Sequence, residues 1–336
     1  DMKIIHPSVE YWSQANTLDG IWEHAARCAR VCYQSQPVKE GESGKDFLLR
    51  TIAKNGFRKD KSSHMSVLEH STVYLRVTNA EGCFHDMKDK YLRNHYSRIV
   101  VEVYDNDLSN RGIPFSEAFI TTNLRVLVEN DWLDDLRFIA DDITKHKKRY
   151  TFSIITNLGV SREINRHREH SKTAVDGGLD PSVSEESTRY CNYSKDKFDN
   201  RLTFVIPAWS NLEEGTVVKK PTYAWDHYKY DYYLNDKLFT SVFEIKDDER
   251  KFTDDFVWLI ANKHAEEAYL LLLANGQKPQ QAREVLPLSL KTQVIHTAFE
   301  DDWRNFIALR SEGISGAPHP NAKQVADKVK YLIEHM

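Results

Sequence analysis

Between Asp254 and Ala274 the chain carries one long helical pattern, ended by Asn275-Gly276 in the manner of a C-cap. A helix of that length needs a sheet or further helices to cover its apolar side. The rest of the chain supplies both. Residues 71–77 alternate, with Val73, Leu75 and Val77 on one face and Thr72, Tyr74 and Arg76 on the other, which predicts a half-buried strand. Residues 150–156 form a second β-rich run, 202–206 a short strand, and 289–298 an extended segment. Helical spacing recurs over 19–33, with Ile21, Ala25, Cys28 and Cys32 on one stripe, and over Leu133, Leu136, Ile139 and Ile143. From Gly159 the chain turns helical, with Ser161 as the expected N-cap of a helix reaching Arg168. Pro279 restarts a helix, and two more close the chain. Strands interrupted by long helices without βαβ regularity predict an α+β fold, a mixed or antiparallel sheet flanked by helices.

The 336 residues allow two domains or one large one at roughly 100–200 residues each. No repeat, low-complexity tract or Gly/Ser linker divides them, so one domain over 1–336 is expected. With 46 basic against 50 acidic side chains the net charge is −4, which argues against a nucleic-acid-coating surface. No run approaches the ~20 apolar residues of a membrane helix, and residues 1–6 lack secretory-signal character, so a cytoplasmic protein is expected. Four cysteines, Cys28, Cys32, Cys83 and Cys191, are too few for a disulfide scaffold. Cys28 and Cys32, one helical turn apart, suit two small thiols on one helix face better than half of a zinc site. Neither GxGxxG nor GxxxxGK[ST] occurs, so no Rossmann or P-loop site is indicated.

The densest polar cluster is Arg166-His167-Arg168-Glu169-His170-Ser171, followed by Ser184-Glu185-Glu186-Ser187-Thr188-Arg189-Tyr190. Paired guanidinium forks hold phosphates bidentately and stabilise an anionic ring. By chemistry alone the cluster suits a phosphate site or a solvated charged helix, and the second is the commoner outcome. His167 and His170 lack a matching ligand set for a metal. Cys191 beside Arg189 has no identifiable base, which favours a structural thiol.

Arg166-His167-Arg168 with Ser171, then Ser187-x-Arg189-Tyr190, resembles the defining motif of the flavin-dependent thymidylate synthases, RHRxxS followed by SxRY. Four further blocks are similar and in the right order. His64-Met-Ser66-Val-Leu-Glu69-His70 resembles the H-x-[ST]-P-x-E-H segment, and Gln281 to Pro287 resembles ARxxLP. Asn305 to Arg310 matches NFLxLR, and Ala29 to Tyr33 is similar to ARVS[FY] with cysteine for serine.

The resemblance implies a homotetramer with sites shared between subunits. It implies that reduced FAD, recharged by NADPH, serves the methylation of dUMP by 5,10-methylenetetrahydrofolate, without an enzymic cysteine nucleophile. Carried over by position, His64, Ser66, Glu69, Arg166, His167, Arg168 and Asn305 would meet the flavin. Arg166, Glu185, Ser187, Arg189, Arg283 and Arg310 would hold dUMP, with Ser187, Arg189 and Arg310 at the reacting end and no metal. Several positions depart from the family. Residues 172–182 are inserted inside the signature and carry turn chemistry, expected to loop out or to lie over the site. Residues 79–148 are longer than compact members require. Ser184 stands for asparagine and Glu163 for glutamine, while Phe299 and Asp301 replace an asparagine and an arginine of the flavin shell. Two other readings keep the resemblance: a methylase or hydroxymethylase of another pyrimidine nucleotide, and a homologue that binds without turnover.

Overall fold

The computed structural model describes residues 1–35, 41–53, 56–57, 65–104, 114–166, 181–224, 227–243 and 253–336. After β1 (Met2–Ile5) and β2 (Ser8–Tyr11), helix α1 (Leu18–Tyr33) begins where the Thr17 hydroxyl accepts from the Gly20 N–H at 3.1 Å. It ends at Gln34 in the left-handed region, φ 47°. Ile21, Ala25 and Cys28 are buried as the stripe predicts, whereas Cys32 is only partly so. α2 (Gly44–Thr51) and a 3₁₀ turn (Met65–His70) lead into β3 (Thr72–Thr78). Then come α3 (Phe84–Leu92), β4 (Arg98–Tyr104), β5 (Phe115–Asn123) and α4 (Leu124–Glu129).

β6 (Arg149–Asn157), α5 (Leu158–Ile164), β7 (Ser182–Glu185) and β8 (Thr203–Val205) carry the middle of the chain. β9 (Gly215–Ala224), β10 (His227–Leu234) and β11 (Lys237–Phe243) make an antiparallel meander. α6 (Asp254–Ala274) occupies the span its sequence predicts, capped by Thr253 and by Asn275, with Gly276 at φ 92°. α7 (Pro279–Ala282), β12 (Lys291–Phe299), α8 (Glu300–Arg310) and α9 (Pro320–Glu334) close the chain.

Three sheets result: β11-β10-β9-β1-β8, β2-β6-β12-β7 and β3-β5-β4. All pairings are antiparallel except β1 with β8, so the α+β reading holds, spread over three mixed or antiparallel sheets. The three-stranded sheet and α1–α4 share one apolar core around Leu68, Leu75 and Leu127. A second core packs β1 and β8 against α6 through Met2, Phe204 and Leu259. A third sets Phe152 and Val294 of the four-stranded sheet against Trp303 of α8 and Val325 of α9.

Several local expectations are corrected. β3 is not half-buried: Thr72, Val73, Tyr74 and Leu75 are all enclosed, because His146 packs edge-on to Tyr74 and covers the second face. The stripe at Leu133, Leu136, Ile139 and Ile143 is no α-helix. A 3₁₀ turn (Leu133–Phe138) runs into an extended Ile139, which bridges to Leu75, and the Ala140 N–H then bonds the Tyr74 carbonyl at 2.9 Å. α5 starts earlier and stops sooner than expected. The Asn157 side chain caps it, accepting from Val160 N–H at 2.8 Å, and Asn165 ends it. Ser161 is therefore inside the helix. The meander over 215–243 and the two N-terminal strands had no reading in the sequence.

Candidate active site at the edge strand

β7 pairs with β12 alone among the described residues, in the register Glu185 to Val294 and Ser182 to Thr297. The two-residue period turns Val183 and Glu185 toward α5, α8 and α9, and Ser182 and Ser184 toward α1 and the 65–70 turn. One four-residue edge strand thereby addresses two different neighbourhoods.

On the α5 side, the Glu185 carboxylate accepts from Ser161 Oγ at 2.7 Å, Thr292 Oγ1 at 2.9 Å and Asn165 Nδ2 at 3.4 Å. All three donors are neutral, and Glu185 makes no ion pair among the described residues. The carboxylate is thus fixed in place while its charge stays uncompensated by any of them. On the same flank Arg310, last residue of α8, stands 3.7 Å from Glu163 of α5. Arg166 follows the end of α5, exposed and without an ion pair among the described residues. Asn305 lies on α8 and is half-buried.

Beyond β7 the chain turns. Ser187 N–H donates to the Cys32 carbonyl at 3.0 Å, and the Ser187 carbonyl accepts from Tyr190 and Cys191 N–H. This ties the turn to the end of α1, where Tyr33 packs on Tyr190 at 5.1 Å. Arg189 is exposed, and its Nε donates to Gln280 Oε1 at 3.2 Å. Gln280 precedes the exposed Arg283 by three residues. Cys191 is fully buried, and burial pushes its thiol up to about 12, so it is protonated at neutral pH. That is the structural thiol its sequence context favours.

Glu186 points away from Glu185. It accepts from Tyr193 OH at 3.0 Å and pairs with Lys291 Nζ at 2.5 Å. On the other flank of β7, Ser184 begins a buried chain of hydrogen bonds. It runs from Ser184 Oγ to His70 Nε2 (2.9 Å), from His70 Nδ1 to Thr297 Oγ1 (2.8 Å), on to Thr151 Oγ1 (2.7 Å) and to His24 Nε2 (3.1 Å). Burial lowers His24 to about 4 and His70 well below its ordinary value, helped by the nearby Arg149. Both rings are therefore neutral at pH 7, and each can donate through one nitrogen and accept through the other.

Glu69 of the 65–70 turn lies beside this chain. Its carboxylate is bound by Arg125, and its carbonyl by Arg149 Nη2 at 3.0 Å. Ser66 on the same turn is exposed. Glu69, Arg149, Ser182, Phe299 and Asp302 line a cavity of about 90 Å³. Ligand pockets run to roughly 300–1,000 Å³, so this cleft by itself is too small for a ring cofactor. By donor chemistry the residues beside this cleft suit an anionic aromatic group: the guanidiniums of Arg98 and Arg149 stand 4.4 and 5.5 Å from the Phe299 ring that lines it. The departures at Phe299 and Asp301 are thereby accounted for. Phe299 is buried beneath Arg98 of β4, and Asp301 lies 3.3 Å from the same guanidinium.

Glu185 lies on β7, and Ser187 and Arg189 in the turn after it. Arg310 stands against Glu163 of α5, and Arg166 follows the end of that helix. Arg283 is exposed three residues after Gln280, the partner of Arg189. Ser66 and Glu69 sit on the turn at the opposite face of β7. His64, His167, Arg168, Ser171 and residues 172–180 of the insert lie outside the described residues; of its last two, Ser182 begins β7. Sequence reasoning missed Ser161, Thr292 and Asn165 as the supports of Glu185. Their signal was the parity of β12 against β7, which needs the register.

No curated protein matches the chain. Among solved structures, the protein described as a UMP/dUMP methylase, PolB from Streptomyces cacaoi, is similar in two ligand-bound forms. The form with 5-Br UMP gives a TM-score of 0.35 at 20% identity, over 56% of this chain and 68% of that one. The form with 5-Br dUMP gives 0.38 at 16%, over 99% and 93%. Likeness at that level carries no weight for fold or activity. Residues 144–335, more than half of the chain and everything from β6 to α9, match the family described as thymidylate synthase complementing protein. The chain belongs to that family, the flavin-dependent thymidylate synthases whose motifs it bears.

Proposed function

We propose that the protein is a flavin-dependent thymidylate synthase that converts dUMP to dTMP. The observation that carries this reading is Glu185, a carboxylate clamped by three neutral donors, with the exposed Arg166 next in sequence to one of them, Asn165, and the exposed Arg189 in the turn after β7. A nucleoside monophosphate needs guanidinium forks for its phosphate and a fixed acceptor for an N–H of its base. Arg189, Arg283 and Arg310 take the first role. Glu185 takes the second, with the Ser187 hydroxyl beside it. Ser161, Thr292 and Asn165 hold that acceptor in one pose, so little ordering is left for the moment of binding.

Arg166 and Asn305 from the α5 side of β7, and Ser66 and Glu69 from the opposite face, would hold FAD, joined by His64, His167 and Arg168. When bound, reduced FAD would supply the hydride and 5,10-methylenetetrahydrofolate the methylene carbon, which takes the place of the C5 proton of dUMP as tetrahydrofolate leaves, and NADPH would recharge the flavin. The protein's share is position and charge. The arginines neutralise the phosphate, and Glu185 fixes the edge of the ring so that C5 faces the carbon donor. In the family's homotetramer a second subunit would complete the site.

The test is anaerobic incubation of FAD-loaded protein with dUMP, 5,10-methylenetetrahydrofolate and NADPH, with chromatography for dTMP. Formation of dTMP that needs all three is the expected result. NADPH oxidation without dTMP, or methylation of UMP or dCMP instead, would replace this reading with another pyrimidine. Binding of dUMP without flavin reduction would leave a non-catalytic homologue.

A further inference from the structure

A basin of about 530 Å³ opens on the far side of Glu186 from Glu185. Its floor is the outward face of β1 and β8, where Lys3, Ile5 and Thr203 stand, while Met2 and Ile4 point into the core. Arg27 and Arg30 of α1 form one wall, Lys197 and Arg201 another, and Lys291 of β12 the third. Six cations thus face two carboxylates, Glu186 and Asp199. With Glu10 standing beside Arg27 at the rim, the local excess is three positive charges, in a chain whose net charge is −4.

Both carboxylates are already taken. Glu186 is paired to Lys291 at 2.5 Å, and Asp199 to Arg201 at 2.9 Å. Arg27 lies over the Trp12 ring at 3.7 Å and 3.6 Å from Glu10. Lys197 Nζ donates to the carbonyls of Tyr33 and Gln34 at 3.1 and 3.3 Å, so it is anchored but not neutralised. Lys3 and Arg30 have no carboxylate partner among the described residues. Like charges converging from four separate segments repel one another unless an anion joins them.

We propose that this basin binds an oligophosphate, a pyrophosphate or triphosphate group, either free or at the end of a nucleotide. An excess of three positive charges suits the polyanionic chain of a pyrophosphate or triphosphate group. Guanidiniums from α1 and from the 197–201 turn give forked donors on two sides. The volume falls within the range of small-molecule sites. None of Glu185, Ser187, Arg189, Arg283 or Arg310 lines the basin, so the site is separate from the one assigned to dUMP and does not depend on that assignment.

The experiment is calorimetric titration of the full-length protein with inorganic triphosphate and with ATP, at low and high salt. Saturable binding weakened by salt is expected, with affinity cut about tenfold or more in a Lys3→Glu/Arg30→Glu protein and in the milder Arg30→Gln protein. Arg189→Ala should leave it unchanged. Equal affinity for both ligands identifies the phosphate chain as the whole of what is recognised, and clearly tighter ATP binding identifies a nucleotide; either sustains the proposal. No saturable binding of either ligand at about 1 mM overturns it. So does unchanged affinity in well-folded Lys3 and Arg30 variants, or loss of binding in Arg189→Ala.

Discussion

Glu185 and Glu186 are neighbours in sequence and opposites in environment. Glu186 is almost wholly buried, paired with Lys291 and bonded by Tyr193, so its charge is cancelled inside the protein. Glu185 is partly open and held by two hydroxyls and an amide that fix its position without cancelling its charge. A buried ion pair serves the fold, and its loss leaves a stranded charge. A clamped carboxylate without a cation is poised for a partner from outside. The contrast separates a structural acid from a binding acid one residue away.

The largest effect should come from the structural side. Lys291→Met leaves Glu186 buried and unpaired, and should cost about 3–5 kcal/mol in urea unfolding. A loss near zero would show that water or another cation reaches Glu186, and the contrast would weaken. Next comes the buried histidine chain. His24 is held neutral in the fold down to about pH 4, whereas an unfolded chain takes up the proton near 6.5. The unfolded state then binds more protons through that window, so stability is lost as pH falls from about 6.5 to 4, by roughly 3 kcal/mol. Thermal melts across that range should show the drop, and a His24→Gln protein should show less of it.

On the binding side, Arg189→Ala should weaken dUMP by about 1.5–3 kcal/mol through loss of a charge-assisted contact, with stability nearly unchanged because the side chain is exposed. Unaltered dUMP affinity would remove Arg189 from the site. The smallest effect is Ser161→Ala, which takes one donor from Glu185. About 0.5–1.5 kcal/mol should appear in dUMP affinity. An effect on unfolding alone would mean that Ser161 serves α5 rather than Glu185.

How far the sequence spoke depended on how local each signal was. α6 was legible because its C-cap signal and helical pattern lie within the element itself. Ser161 was misread as a cap because a serine ahead of a polar helical run suits that role, and its true partner sits 24 residues on in β7. The stripe from Leu133 to Ile143 failed for a similar reason. Three apolar positions at helical spacing meet the same core through a 3₁₀ turn and a bridge to Leu75, a tertiary contact that overrides the period. The site residues were named through their motifs, while the opposite facing of Glu185 and Glu186 needed the register of β7 on β12.

The most direct test compares dTMP formation by Glu185→Gln and Glu186→Gln proteins, each normalised to correctly folded, flavin-loaded enzyme. Glu185→Gln should fold like the parent and lose most turnover, whereas Glu186→Gln should melt earlier yet keep near-parental turnover per folded molecule. The reverse pattern, or equal losses in both, would contradict the assignment of Glu185 to the substrate and Glu186 to the fold.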